Sequence, residues 1–284
     1  MARLAFALRM LKDRWREECG LCPYCESRFS TRLQRKHLLI EARRCMHCGL
    51  IYRWPTDPAA GARDFYETAY DGQQATTLPD GLESADPLAQ FSSAHDKTDR
   101  VRFLERTLGS ADGRSLLDFG CSWGYSVRQY LAAGWQASGF ELDRHRAALG
   151  PEKLKVEITS SLDELRNRRF DVILSDHSLE HVPRPGSTLQ SWSEIAAHGG
   201  VLVLFVPNGS STAARRLGVG WGPFIGESHT VAFTHDWFAR NLPRHGWRPT
   251  FHDSAGQPLA EGEYLTEHGE ICLVAHRMDN QAKR

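Results

Sequence analysis

The sequence predicts an α/β chain: a doubly wound, mostly parallel sheet preceded by a small cysteine-stapled module. Three observations carry that expectation. Ser115 to Phe119 is a short apolar run that passes through a glycine-bearing turn, Gly120 to Gly124, directly into a helical pattern from Tyr125 to Ala133. Strand-like and helix-like patterns then alternate along the chain, which is how parallel sheets with crossover helices read. Ahead of them, Cys22-Pro-Tyr-Cys25 and Cys45-Met-His-Cys48 form two C-x-x-C knuckles.

The knuckles come first in chain order. Their spacing is that of a ribbon in which four thiolates close a tetrahedral zinc site, with Gly49 relieving the second turn. Such a closed site has no open position for substrate, so its expected role is structural: it staples about 35 residues, too few for a core of their own. Disulfides would need an oxidising compartment, and Met1 to Met10, interrupted by Arg3 and Arg9, reads as an amphipathic helix and not as an export signal. Cys19 and His47 are spare donors and are not expected as ligands. The expected domains are therefore 1–54 for helix and ribbon, 55–97 for a linker opened by Pro55-Thr-Asp-Pro58, and 98–284 for the α/β domain. Residues 71–92, rich in Gly, Pro, Ser, Asp and Gln, read as a loop: a surface linker, or a lid over the site.

Composition is that of an ordinary globular protein, 41% hydrophobic and 25% charged, with zero net charge. No run of about 18 apolar residues exists, so no membrane span is expected. The charge is uneven: residues 1–54 hold 12 Lys/Arg against 5 acids, and the remainder 23 against 30. A basic module invites an anionic partner such as a phosphorylated substrate, a lipid surface or RNA; a plain solvated face accounts for it equally well.

In the larger domain, Thr98 to Leu108 is a helical pattern closed by Gly109. Gly120 and Gly124 let the backbone turn tightly and approach a ligand, and the helix start offers free N–H groups. A second strand, Gln136 to Phe140, ends in Glu141, about 20 residues past the first glycine, where nucleotide-binding folds place the acid that holds ribose hydroxyls. A third strand is expected at Lys155 to Ile158 and a fourth at Phe170 to Leu174, followed by Ser175-Asp176-His177. Helix Thr188 to Ala197 precedes a fifth strand that starts at Gly199-Gly200 and ends at Pro207-Asn208. Thr234 caps a short helix stopped by Pro243, and strands near Trp247 to His252 and Glu270 to His276 close the sheet. The carboxyl ends should bring Gly120, Glu141, Asp176 and Asn208 together. Cys121 and Cys272 read as buried core thiols.

The run Leu116-Leu117-Asp118-Phe119-Gly120-Cys121-Ser122-Trp123-Gly124 resembles the first motif of class I S-adenosylmethionine (SAM)-dependent methyltransferases. Gly139 to Glu141, Phe170 to Val182 and Gly199 to Asn208 agree with later motifs in order. The leader, Cys48-Gly-Leu-Ile-Tyr followed by Phe65, Tyr66 and Tyr70, resembles bacterial two-part methyltransferases that join a zinc ribbon to the SAM domain, often in saccharide pathways. The resemblance implies a Rossmann-like seven-stranded sheet, SAM as cofactor and structural Zn2+. It places Asp118, Gly120, Ser122, Gly124, Glu141, Ser161 and Asp176 around the cofactor and zinc on Cys22, Cys25, Cys45 and Cys48. Ser122 stands where the family has its middle glycine.

Methyl transfer to a hydroxyl or an activated C–H requires a base. His181 and His177, just beyond the fourth strand, are the candidates, with His229 a third; packing is the competing role for His181. Trp123 and Trp221 either face the sulfonium or belong to the core. The expected activity is O-methylation of a saccharide or related metabolite by a cytoplasmic enzyme whose acceptor is a small molecule, anionic or nucleotide-linked in the extreme case. The competing readings are an RNA methyltransferase with a basic zinc module, which the neutral overall charge disfavours, and a non-catalytic ribbon adaptor, for which Ser122 is the hint.

Overall fold

A computed structural model describes residues 2–57, 96–260, 262, 264 and 266–278. The 71–92 loop, and Phe65, Tyr66 and Tyr70 before it, lie outside the described residues.

The N-terminal module opens with helix α1 (Ala2–Asp13), which sets Met10 into the core at every-fourth-residue spacing from Phe6. Three antiparallel strands follow: β1 (Ser30–Lys36), β2 (Ile40–Cys45) and β3 (Ile51–Trp54).

The second sheet has seven strands, as expected. Their chain order is β4 (Ser115–Phe119), β5 (Gln136–Phe140), β6 (Ile158–Thr159), β7 (Phe170–Asp176), β8 (Ala196–Pro207), then β10 (Trp247–His252) and β11 (Glu270–Arg277), with the two-residue β9 (Val231–Ala232) belonging elsewhere. The spatial order is β10-β11-β8-β7-β4-β5-β6. Pairings from β8 through β6 are parallel, and β11 and β10 add antiparallel strands at one edge. The order reverses between β4 and β7, so the carboxyl ends of those strands open a crevice at that point.

Helices cover both faces: α2 (Thr98–Leu108), α3 (Tyr125–Ala132), α4 (Arg144–Leu149), α5 (Leu162–Arg166), α6 (Pro185–Ile195), α7 (Thr212–Leu217) and α8 (His235–Asn241). On α6, Leu189, Trp192 and Ile195 face the sheet, and Trp192 meets Phe119 edge-on at 5.1 Å. Thr234 caps α8 as expected, its side chain accepting from Trp237 N at 3.1 Å. Trp123 is core: it is buried and stacks on Tyr125. Cys121 and Cys272 are buried as well.

Three boundaries differ from the sequence pattern. The third strand is only Ile158–Thr159, because Gly150–Leu154 forms a wide turn and Lys155 takes a left-handed conformation (φ 57°) that no strand continues. Helix α6 starts at Pro185, where a proline sits without loss in the first turn, and ends at Ile195. Strand β8 starts at Ala196, paired with Phe170, and a register shift before Val172–Val201 absorbs Gly199 at φ 69°.

The ribbon and the larger domain share a core. β3 pairs with β9 from the far end of the chain, Ile51 with Ala232 and Tyr52 with Val231, giving a four-stranded sheet. Cys22, Cys45, Cys48, Leu50 and Tyr52 pack in one apolar cluster with Phe233, Trp237 and Trp247. Asn241 Nδ2 donates to Cys48 O at 3.2 Å, and Tyr24 meets Trp237 edge-on at 5.0 Å.

Candidate functional site

The turn after β4 is built by backbone hydrogen bonds: Gly120 N and Cys121 N both donate to Phe140 O, at 2.8 and 3.1 Å. Gly120 (φ 89°) cannot carry a Cβ, which would collide with Ser178 Oγ; at Gly124 (φ 88°) it would collide with Ile158 and Val156. The glycines are thus demanded by neighbours within the fold. Ser122 holds the left-handed conformation without being glycine (φ 53°), and its amide is pinned by Glu141 Oε2 at 2.9 Å. Glu141 Oε1 accepts Asp143 N at 2.9 Å, so the acid is fixed by two amides at the end of β5. Burial pushes its pKa up.

A cavity of about 290 Å³ opens between this turn and the segment after β7. Gly120, Ser122 and Glu141 form its polar side, Phe119, Leu142 and Leu162 its apolar side, and His177, Ser178 and His181 the wall beyond β7. The buried Ser122 Oγ has no hydrogen-bond partner among the described residues. A fixed carboxylate, an orphan hydroxyl and apolar walls fit an adenosyl group with a polar tail.

The other expected cofactor residues stand behind this surface. Asp118 is buried and accepts from Ser126 Oγ; desolvation raises its pKa to about 7. Ser161 caps α5 through Glu164 N. Asn208 is buried in its own turn, donating to His268 O and accepting from Ser210. Asp176 is buried under two cations, Lys97 Nζ at 2.7 Å and Arg100 at 3.0 Å. Burial opposes its charge, but those cations hold its pKa well below the usual carboxylate range. Arg100 also reaches Glu270 at 2.6 Å and lies over the Phe205 ring.

The three histidines differ sharply. His177 (φ 51°) is clamped between Glu270 Oε1 at 2.6 Å and Glu180 Oε1 at 3.3 Å. Desolvation works against its charge, yet the two carboxylates raise its pKa to about 10, so it is an imidazolium at neutral pH and holds its proton. His181 is the opposite case: burial lowers its pKa, leaving a neutral ring, and its Nδ1 bonds Ser228 O at 3.1 Å. That bond fixes the tautomer and leaves Nε2 as the basic nitrogen, 3.9 Å from Glu180 Oε1. His229 bonds Pro223 O through Nδ1 at 2.8 Å and meets His181 edge-on at 4.6 Å, away from the cavity lining.

Glu180 had no special standing in the sequence, and it is the centre of this group. It is 1% exposed, and its Oε2 has no hydrogen-bond partner among the described residues. Glu180, His181 and His229 each offer a donor atom within 4.8 Å of the others. Such a set can take up a proton or hold a divalent cation.

The second donor set is the expected one. The sulfurs of Cys22, Cys25, Cys45 and Cys48 converge within 4.8 Å, with Cys22–Cys48 at 3.6 Å and Cys25–Cys45 at 3.5 Å. Four sulfurs 2.3 Å from one ion would stand about 3.8 Å apart, so the cage fits a tetrahedral metal. Hydrogen bonding from Cys22 draws the Cys48 pKa down, toward the thiolate form that a metal binds. Cys19 instead donates to Arg14 O and stays outside the cage.

Comparison with known proteins bears on the fold and the family. Residues 93–251 match the family model described as "Methyltransferase domain". A ubiquinone biosynthesis O-methyltransferase from Alkalilimnicola ehrlichii is 26% identical over 221 residues, covering 70% of this chain and 87% of that protein. Another, from Leptothrix cholodnii, is 29% identical over 134 residues, covering 43% of this chain and 57% of its own length. The chain thus spans little more than half of several such relatives. The magnesium protoporphyrin IX methyltransferase of Synechocystis PCC 6803 with bound SAH shares the fold, with a TM-score of 0.51 at 14% identity over 78% of this chain and all of that one. With the family model covering more than half of its length, the chain belongs to the Methyltransferase domain family.

Proposed function

We propose that this chain is a SAM-dependent O-methyltransferase acting on a hydroxyl of a small molecule, with a structural zinc ion in the four-cysteine cage. The finer reading is a saccharide or related metabolite as acceptor. The observation that carries the proposal is the pairing, in one cavity, of the Glu141-anchored turn with the neutral His181. The bound cofactor would supply an electrophilic methyl group. The chain's residues do the rest.

Glu141 would accept the ribose hydroxyls, and the amides of the Gly120–Ser122 turn with Ser122 Oγ would meet the cofactor's polar tail. The apolar side, Phe119, Leu142 and Leu162, would exclude water from the adenine. His181 Nε2 would take the acceptor's proton, and the resulting imidazolium is stabilised by Glu180 at 3.9 Å. His177, holding its own proton, keeps Glu180 ionised: burial raises the carboxyl's pKa, but the histidine bonds lower it overall. Because positioning supplies much of the rate in such transfers, the apolar crevice matters as much as the base.

The test is a screen of hydroxylated metabolites and RNA fractions with methyl-labelled SAM, run beside calorimetric titration of SAM. Label in a small-molecule hydroxyl supports the proposal. Label in RNA moves the substrate to the nucleic-acid reading, and absence of SAM binding makes the chain an adaptor.

A further inference from the structure

The module's outer surface is unlike that of the rest of the chain. Among the described residues, ten large apolar side chains are exposed, and seven of them lie between Leu8 and Met46. Those 39 positions are too few to collect seven of ten by even scatter, and single exposed apolar residues elsewhere need no explanation.

Their placement is ordered. Helix α1 buries one face, with Met10 at 0% and Asp13 at 6% exposure, while Leu8 and Leu11 stand out at 60% and 45%. Trp15, 91% exposed, continues that outer stripe just past the helix, at intervals of three and four residues. The tip of the β1–β2 hairpin is drawn to the same place, because Arg14 donates to the carbonyls of Leu38 and Leu39. Leu38, 70% exposed, therefore adjoins the end of the stripe.

The charge of the module is mainly positive. Residues 1–54 carry 12 bases and 5 acids; two of the acids, Asp13 and Glu41, are buried, while Glu17, Glu18 and Glu26 are exposed. Asp13 is buried and paired with Arg16, Glu41 is 2% exposed beneath Arg32, Arg35 and Arg43, and Glu18 and Glu26 face Arg184 of the larger domain. Lys12 beside the stripe is exposed, and Lys36 near the hairpin tip is half-buried.

We infer that this face, Leu8, Leu11, Trp15 and Leu38 rimmed by Lys12 and Lys36, docks the protein on an anionic lipid surface, with the helix lying in the interface. A helix with an apolar outer stripe, a Trp at headgroup level and flanking bases is the form such contacts take. Nucleic acid would meet the charge, but three of the four central side chains are leucines, which cannot stack bases. A second copy of the chain would bring a second positive surplus to the same contact. No described helix is long and apolar enough to cross a membrane, so the contact is one of lying on, not spanning. The inference is independent of the methyl acceptor.

The test is co-sedimentation of the zinc-loaded full chain with phosphatidylglycerol–phosphatidylcholine vesicles and with phosphatidylcholine alone. Binding to the anionic vesicles at least about tenfold tighter than to the neutral ones is expected, weakening as salt is raised. The pair Leu11→Ser and Trp15→Ser should lose at least about tenfold of it, and Lys12→Glu with Lys36→Glu should lose the preference for anionic lipid. Zinc content and melting temperature verify that the variants fold, and Leu38→Ser, on the hairpin, replaces the helix pair if that pair does not. Equal binding to both vesicle types, undiminished binding by the folded variants, or retention of RNA or self-association through this face without vesicle binding would each overturn the inference.

Discussion

His181 carries the sharpest residue-scale consequence. As the proposed base, a ring fixed by one backbone carbonyl would act through proton uptake, so His181→Gln should lower kcat by about 10²- to 10⁴-fold. SAM affinity measured by calorimetry should stay within about twofold, and a fully active variant would return the ring to packing. Glu141 behaves in the opposite way. Glu141→Ala should weaken SAM binding about tenfold, or about 1.4 kcal/mol, with the melting temperature little changed; an unaltered Kd would take the acid out of the cofactor site. These two residues also show what the sequence discloses at this scale. Glu141 was legible because strand length and the preceding glycine fix its distance from the turn. The separate fates of His177 and His181 were not, because they depend on Glu270, 93 residues from His177, and on Ser228, 47 residues from His181.

Between elements, the decisive feature is the charge layer that ties α2 to the ends of β7 and β11. Lys97 and Arg100 come from one side, Asp176 and Glu270 from the other. Glu270 is desolvated, yet the bonds from His177 and Arg100 lower its pKa to about 2, and Asp176 is lowered as well. Carboxylates whose folded pKa lies below the unfolded value add stability above the unfolded pKa and lose it as pH falls through the folded one. Denaturant midpoints should therefore drop between about pH 4.5 and pH 2, and the drop should shrink in Glu270→Gln, whose neutral side chain no longer titrates. An unchanged slope in that variant would remove Glu270 from the acid response. Arg100→Ala removes one of the two ion pairs to Asp176 and should cost about 3–5 kcal/mol, as breaking a buried pair does. Strands and helices were themselves legible from apolar runs and turn residues. This layer was not, since Arg100 sits on the polar face of an ordinary amphipathic helix and nothing local marks its partners 76 and 170 residues away.

Across the whole molecule, the cysteine cage and the cavity belong to one folded body. The knuckle spacing disclosed the cage, and all four expected thiols meet. The pairing of β3 with β9 was not legible there, because the residues that complete the ribbon's sheet lie some 180 positions further on and only the folded chain brings them together. His181 is tied to the same seam: Thr230 N donates to Glu180 O at 3.0 Å, and Thr230 O accepts Arg53 N at 2.9 Å one residue after Tyr52 pairs with Val231. Loss of the metal would leave four converging, desolvated thiols in the core that also holds Trp237 and Trp247. Cys25→Ser, or chelation strong enough to strip the cage, should therefore lower the melting temperature of the entire chain in one cooperative calorimetric transition, with zinc content falling from about one ion per chain to none. SAM binding should disappear at the same temperature as the ribbon's structure. A separate early transition, with SAM binding retained above it, would show that the two parts are energetically distinct despite the shared core.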